Sequence, residues 1–259
     1  MSAMKLVSSG LLLRCFLRTY LVNAVYNPRG LQNIGFIFVF EPALEFLYGP
    51  GERFVEARLR YARHHNCHQF FTPMLLGVLL RLESGIATGV LPASVLENLK
   101  DTTANTLSAI GGSLFNGTLM VTWALVSACL ILAGLPEKAL WFTILCFVLL
   151  QVFKLLTCAL GFRKGMEALF LLRQLDLINW CDRVKYVNAV LLGLFLWLAL
   201  PAAPMAVWAI LALYLLFMGW LVGKSHISRV LVALVLLVMA VSLHLAGWLE
   251  AFSVPRLPW

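Results

Sequence analysis

Six amides and one carboxylate hold most of the ligand-directed chemistry in this chain: Asn27, Gln32, Asn66, Gln69, Asn105, Asn116 and Glu41. Each amide offers N–H donors and a carbonyl acceptor, and a carboxylate only accepts, so the set suits a ligand carrying many hydroxyls. Amides of this kind also serve to satisfy the backbone of interrupted helices. Glu41 precedes Pro42 and reads either as a site acid or as a helix-start residue. A second cluster holds His64, His65, Cys67 and His68. At helical spacing His64, Cys67 and His68 share a face that zinc or iron could use. The competing reading is a helix C-terminus with histidines near the negative end of its dipole. No carboxylate-rich motif or second histidine cluster accompanies them, since His226 and His244 are isolated. Neither a metal nor a cofactor is assigned. Lys154 lies in a strongly apolar run and Glu83 closes another, and ionisable groups at membrane depth usually face a cavity or a partner.

The elements that must position these groups are greasy. Hydrophobic residues make up 61% of the chain and charged ones 12%, about half the charged share of soluble domains. The net charge of +8 therefore reads as basic loops flanking membrane spans rather than a nucleic-acid footprint. Cysteines stand at 15, 67, 129, 146, 158 and 181 without a CxxC pair, which supports neither a disulfide framework nor a zinc ribbon. The expectation is an all-α integral membrane protein.

Residues 1–25 read as an interfacial amphipathic helix. Leu13, Phe16, Leu17, Tyr20 and Leu21 lie on one side and Arg14 and Arg18 on the other, and no signal-peptide cleavage is expected. Residues 26–118 form a region of broken and re-entrant helices. A polar opening at Asn27–Asn33 leads into Ile34–Phe40, breaks at Glu41–Pro42 and resumes as Ala43–Tyr48. Such interrupted apolar segments are tolerated at membrane depth only where they line a protected cavity. Glu52–His65 reads as a polar helix with a Glu56–Arg60 pair. Phe70–Leu82, too short to span, reads as a half-helix. Val90–Asp101 reads as a turn and a short polar helix, and Thr102–Thr118 is rich in small polar residues. Residues 119–259 hold five apolar runs: Leu119–Leu135, Ala139–Gly161, Val187–Ala203, Ala206–Gly223 and Val230–Leu249. Basic residues alternate between their loops so that the N-terminus falls inside and the C-terminus outside.

Four blocks resemble the enzyme IID subunit of mannose/fructose/sorbose-type phosphotransferase (PTS) sugar transporters. The first is Tyr26–Asn27, Gln32, Gly35–Phe36, Pro42–Ala43–Leu44 and Leu47–Tyr48. The second is Asn66 with Gly77–Val78. The third is Ile110–Thr118, similar to a family loop Ile-Gly-Asp-Pro ending in Trp-Gly-Thr. The fourth joins Gln151, Lys154 and Gly161–Gly165. Together they cover residues 14 to 195. The chain departs from the family where Gly112 replaces the Asp, Asn116 replaces the Trp and Arg29–Gly30 replaces a Glu-Arg pair.

The resemblance implies a bacterial inner-membrane subunit, multi-pass, that pairs with an enzyme IIC subunit. Sugar would pass along their interface and be phosphorylated by cytoplasmic IIA and IIB subunits, with no phosphohistidine on this chain. The seven polar residues named first would be the substrate-binding set. Loss of the Gly112 acid implies reduced transport. A non-transporting regulatory scaffold is the second expectation, and an intramembrane metalloenzyme the third.

Overall fold

Every regular element among the described residues is helical. The structure, a computed structural model, describes residues 7–199 together with Met205, Ala209, Ala212, Leu213 and Phe217. Chain contacts divide it into a unit of residues 1–191 and a unit of residues 192–259. The described residues of the second unit are helical. Apart from those isolated positions, the runs Ala206–Gly223 and Val230–Leu249 and the end of Val187–Ala203 lie outside the described residues, as do His226, His244 and the C-terminus.

The centre of the first unit is a short helix, α4, at Thr72–Ala87. Its 16 residues extend about 24 Å, less than a bilayer core. It is nonetheless buried almost throughout, from Thr72 to Leu80 and again from Leu82 to Gly85. Protein encloses it, chiefly α7 (Pro136–Lys164), which passes so close that no side chain fits between. A Cβ on Gly77 would stand 2.3 Å from the Cys158 carbonyl oxygen, and one on Gly161 would stand 2.5 Å from that of Met74. Small residues permit such backbone approach, and dispersion contacts then hold the pair.

Against α4 lie α2 (Asn33–Tyr48) and α3 (Glu52–Ala62). The expected break at Glu41–Pro42 does not occur, since α2 runs straight through Pro42. Proline removes the N–H that would have reached the carbonyl four residues back, at Phe38. Arg18 supplies the missing donor: its Nη1 lies 2.8 Å from the Phe38 oxygen, and its guanidinium sits 4.2 Å from the centroid of the Phe38 ring. Arg18 belongs to α1 (Ser9–Arg18), which starts where the Ser8 hydroxyl accepts from the Leu11 N–H. Cys15 and Phe16 of α1 are buried in the protein, while Leu13, Leu17, Tyr20 and Leu21 remain exposed. Phe16 is thus buried in protein while the other four apolar residues of that side stay exposed.

The Glu56–Arg60 pair is also replaced. Arg60 turns inward to Glu83, which is fully buried in α4 and also accepts from the hydroxyls of Tyr48 at 2.6 Å and Tyr61 at 2.8 Å. Burial and the Glu83 charge push both phenols up, so both stay protonated donors. One carboxylate thus ties together α2, α3 and α4. Removing a single partner from such a buried ion pair strands the other charge, at a cost of about 3–5 kcal/mol.

From Ala93 to Leu132 the chain is one continuous helical stretch of 40 residues. It comprises α5 (Ala93–Gly111), a π-helical segment (Gly112–Leu119) and α6 (Met120–Leu132). The sequence suggested a short polar helix and a loop here. Ser113 stands where the family has proline, and its N–H lets the helix continue. This stretch and α7 are the two described helices long and apolar enough to cross a membrane. At 29 residues, α7 reaches about 44 Å, and Trp141, Leu145, Phe147, Leu149 and Leu156 leave its flank apolar and exposed. Two further helices follow, α8 (Met166–Gln174) and α9 (Leu177–Ala199).

His65, in the segment between α3 and α4, stacks on Phe36 with ring centroids 3.5 Å apart, and both its ring nitrogens are buried without a partner. Burial, reinforced by the Lys100 ammonium of α5 and by neighbouring His64, pushes its pKa down to about 3. The folded state therefore holds the neutral ring. The stabilisation is complete above the unfolded value near ~6.5 and is lost as pH falls from there toward 3. Lowering the pH from 7.5 to 5 should cost about 2 kcal/mol, read as a falling unfolding midpoint in detergent. His65→Leu should flatten that part of the profile, and an unchanged slope in the variant would contradict the assignment.

Candidate functional site

The polar opening before α2 folds back on itself. Asn27 and Leu31 exchange backbone hydrogen bonds at 3.1 and 2.8 Å, and the Asn27 Oδ1 accepts from the Gly30 N–H at 2.7 Å. The amide of Asn27 donates to Asn33 Oδ1 at 2.8 Å, and Asn33 donates onward to the Ala62 carbonyl at 2.6 Å. Gln32 is buried, donates to Asn23 Oδ1 at 2.7 Å and accepts from the Cys67 N–H at 2.8 Å. Its own N–H reaches the His65 carbonyl at 3.0 Å. This lattice pins the segment between α3 and α4 to the start of α2. In return it uses both ends of the Asn27 and Gln32 amides.

The pinned segment faces the π-helical turn. His68 stacks on Phe115 with centroids 5.2 Å apart, and Phe70 lies 4.7 Å from the same ring. His68 sits where a Cβ on Gly111 would stand 2.4 Å from it, so the ring occupies the space a side chain would need. Its Nδ1 accepts from the Phe70 N–H at 3.4 Å, which leaves Nε2 to donate toward Asn116 Oδ1, also at 3.4 Å. Burial lowers the His68 pKa and favours this neutral form, opposed by the Asn116 hydrogen bond. The π turn is held in place from two sides. The Thr118 hydroxyl donates to the Ser113 carbonyl at 2.8 Å, and Asn188 of α9 donates to the Thr118 carbonyl at 3.1 Å while accepting from Thr122 at 2.7 Å. Single π turns inside α-helices recur at functional sites because they displace side chains and free backbone groups.

The predicted residues separate by what remains free. Asn66 is half-buried, Gln69 and Asn116 are exposed, and Gln69 follows His68 in the chain. Of the three, Asn116 pairs with His68 beside the Phe70 and Phe115 rings, while Gln69 stands between His68 and Phe70 in the chain. Aromatic rings with exposed amides suit a sugar, whose faces are apolar and whose rim is hydroxylated. Asn27 and Gln32 instead build the support. Asn105 is exposed on α5, seven positions before Gly112. Glu41 is held by Arg58 at 3.3 Å on the α2–α3 side. A Cβ at Gly112 would meet nothing within 4 Å, so the space for the family acid is open.

The helix that would place His64, Cys67 and His68 on one face ends at Ala62. Arg63 turns to extended backbone, and the Gln32 contacts draw the chain after it away from helical geometry. Among the described residues no three histidine, cysteine or acidic side chains converge. The sequence reading missed Asn23, Asn33 and Asn188, all of which position the site. It also missed a clasp under it. The Lys154 ammonium, on α7, lies 3.4 Å from the centroid of the Tyr20 ring, and the Tyr20 hydroxyl donates to Gln151 Oε1 at 2.5 Å. Asn188 carried one readable signal, an amide at the second position of an apolar run.

The chain is 29% identical over 159 residues to the fructose permease IID component of Bacillus subtilis (strain 168), covering 60% of this chain and 56% of that one. It is 29% identical over 161 residues to the mannose-specific EIID component of the Escherichia coli (strain K12) PTS, covering 59% and 54%. It thus spans little more than half the length of these curated relatives. Among solved structures, one described as a membrane protein superposes with a TM-score of 0.70 at 18% identity, covering 93% of this chain and 97% of that one. A chain of the cryo-EM complex of the mannose transporter ManYZ with microcin E492 superposes at 0.58 with 19% identity and the same coverage. Residues 7–207 match the PTS system mannose/fructose/sorbose family IID component, and with most of its length inside that match the chain belongs to this family.

Proposed function

We propose that this chain forms one wall of a sugar path in the bacterial inner membrane, with an enzyme IIC subunit forming the other. The carrying observation is the exposed Asn116 amide paired with His68 on the Phe70 and Phe115 rings, at a π turn in a IID-family chain, with Gln69 and Asn66 next and two positions away from His68 in the chain. Asn105 extends the set along α5. The exposed apolar flank of α7 is surface for the IIC subunit and lipid. Cytoplasmic IIA and IIB subunits carry the phosphoryl group, so this chain binds and orients the sugar without a phosphohistidine of its own. Fructose and mannose appear in the names of its relatives, and hexoses are the substrate class proposed here.

One observation favours weakened transport. Gly112 stands at the family acid's position with open space around it, and Glu41, already bound to Arg58, is not its replacement. A lost hydrogen bond to a charged acceptor is worth about 1.5–3 kcal/mol, roughly ten- to hundredfold in affinity. A scaffold that recruits the soluble subunits without transporting is the limiting case. Cells expressing the chain with its neighbouring IIC, IIA and IIB genes should take up labelled mannose or fructose slowly. Gly112→Asp should raise uptake by about tenfold, Gln69→Ala with Asn116→Ala should abolish it, and Glu41→Gln should leave it unchanged. Uptake indifferent to the amide substitutions would contradict the site. No uptake even with Gly112→Asp would favour the scaffold.

The alternation of basic residues between the loops supports a cytoplasmic N-terminus. A membrane-impermeant thiol reagent should fail to label Ser2→Cys in intact cells and succeed after lysis. Labelling from outside would reverse the orientation.

A further inference from the structure

A groove of about 700 Å³ opens where α5, α8 and the start of α9 meet, and none of the seven polar residues of the proposed sugar site lines it. Leu107 and Ile110 of α5 and Leu169 and Phe170 of α8 give it apolar walls. Arg173, in the last turn of α8, and Asp176, in the turn before α9, also line it, and the Asp176 N–H donates to the Arg173 carbonyl at 3.2 Å. Both side chains are exposed, and they do not pair with each other. Arg173 has no acceptor among the described residues, and Asp176 accepts through Oδ2 from Asn179 at 2.6 Å, leaving Oδ1 free. One uncompensated cation and one available carboxylate oxygen thus stand three residues apart at an apolar slot.

The position along the membrane normal is set by α7. Arg163 and Lys164 in its last turn are exposed, and α8 begins directly after Gly165. Trp180 of α9 is exposed with the Arg183 guanidinium 5.4 Å from its ring. Exposed tryptophan beside basic residues marks the headgroup level of a bilayer. Phe170, 61% exposed at the groove, projects an aromatic ring at the same level.

We infer that this groove holds one phospholipid whose headgroup carries both phosphate and a primary ammonium. The guanidinium of Arg173 takes the phosphate, for which planar N–H donors are well suited. The free Asp176 oxygen accepts from the ammonium, and the apolar walls cover an acyl chain. Phosphatidylglycerol offers the phosphate but only neutral hydroxyls to Asp176, weaker donors than an ammonium, and phosphatidylcholine has no N–H to donate. The order of retention is therefore phosphatidylethanolamine, then phosphatidylglycerol and phosphatidylcholine. This inference is independent of the sugar site and requires only that the chain lie in a membrane.

The test is native mass spectrometry of the full chain, with whatever membrane partner copurifies, released from nanodiscs of equimolar phosphatidylethanolamine, phosphatidylglycerol and phosphatidylcholine with matched chains. One phosphatidylethanolamine per chain should survive activation. Arg173→Gln should lower its retention by roughly tenfold, and Asp176→Asn should shift the retained lipid toward phosphatidylglycerol. Both residues are exposed, and asparagine tolerates the positive φ of 49° at position 176, so neither change disturbs the core. No retained lipid, or retention unchanged in both variants, would overturn the proposal. So would a thiol at Phe170→Cys that is shielded in the assembled complex after complete delipidation, because the groove would then be a subunit interface.

Discussion

Where α4 meets α7, backbone touches backbone. Gly77 and Gly161 leave no room for a methyl group on either helix, so the short helix is seated against the long one without an intervening layer of side chains. That contact allows a helix too short for a bilayer to be buried almost throughout. Its polar ends then find partners in protein, as they must where no water is available. Phe71 and Phe115 also meet Phe153 of α7 through edge-on contacts at 5.8 and 5.6 Å. The π turn and the start of α4 are therefore registered against the same stretch of α7.

Around this seat, polar groups are matched one by one. Glu83 gathers donors from α2 and α3. Arg18 answers the carbonyl that Pro42 orphans. Gln32 holds the Cys67 amide. Each of these contacts joins segments apart in the chain, and loss of the Glu83 or Gln32 contacts leaves a buried group unsatisfied, at about 1–3 kcal/mol for a neutral group. The matching is not complete: Arg60 Nε, Ser127 Oγ and both ring nitrogens of His65 are buried without a partner, and His65 is held neutral on an aromatic face.

Helical class, the amphipathic start and the apolar runs of α6 and α7 were legible because they rest on periodicity and composition. Pairings between distant elements were not. Nothing local marks Arg60 as the partner of Glu83 when Glu56 sits one turn away, and Pro42 reads as a break until Arg18 is seen beside Phe38. The His64–His68 segment reads as helix by spacing, yet Gln32, more than thirty residues earlier, pulls it into an extended path. For the amides, type alone could not separate Asn27 and Gln32, which build the scaffold, from Gln69 and Asn116, which are exposed. Glycines were legible as family positions, but their reason, close approach at Gly77 and Gly161 and the His68 ring against Gly111, is a fact of packing.

The central claim is that sugar lies over the π turn within reach of Asn116. The direct measurement is the alkylation rate of a thiol placed there by Asn116→Cys, in the assembled complex, with Cys146 replaced by serine because it is the native thiol among the described residues that is not buried. Saturating hexose should slow alkylation severalfold, while the same thiol at Glu97, remote on α5, should react at one rate throughout. Equal rates at position 116 with and without sugar would contradict the account.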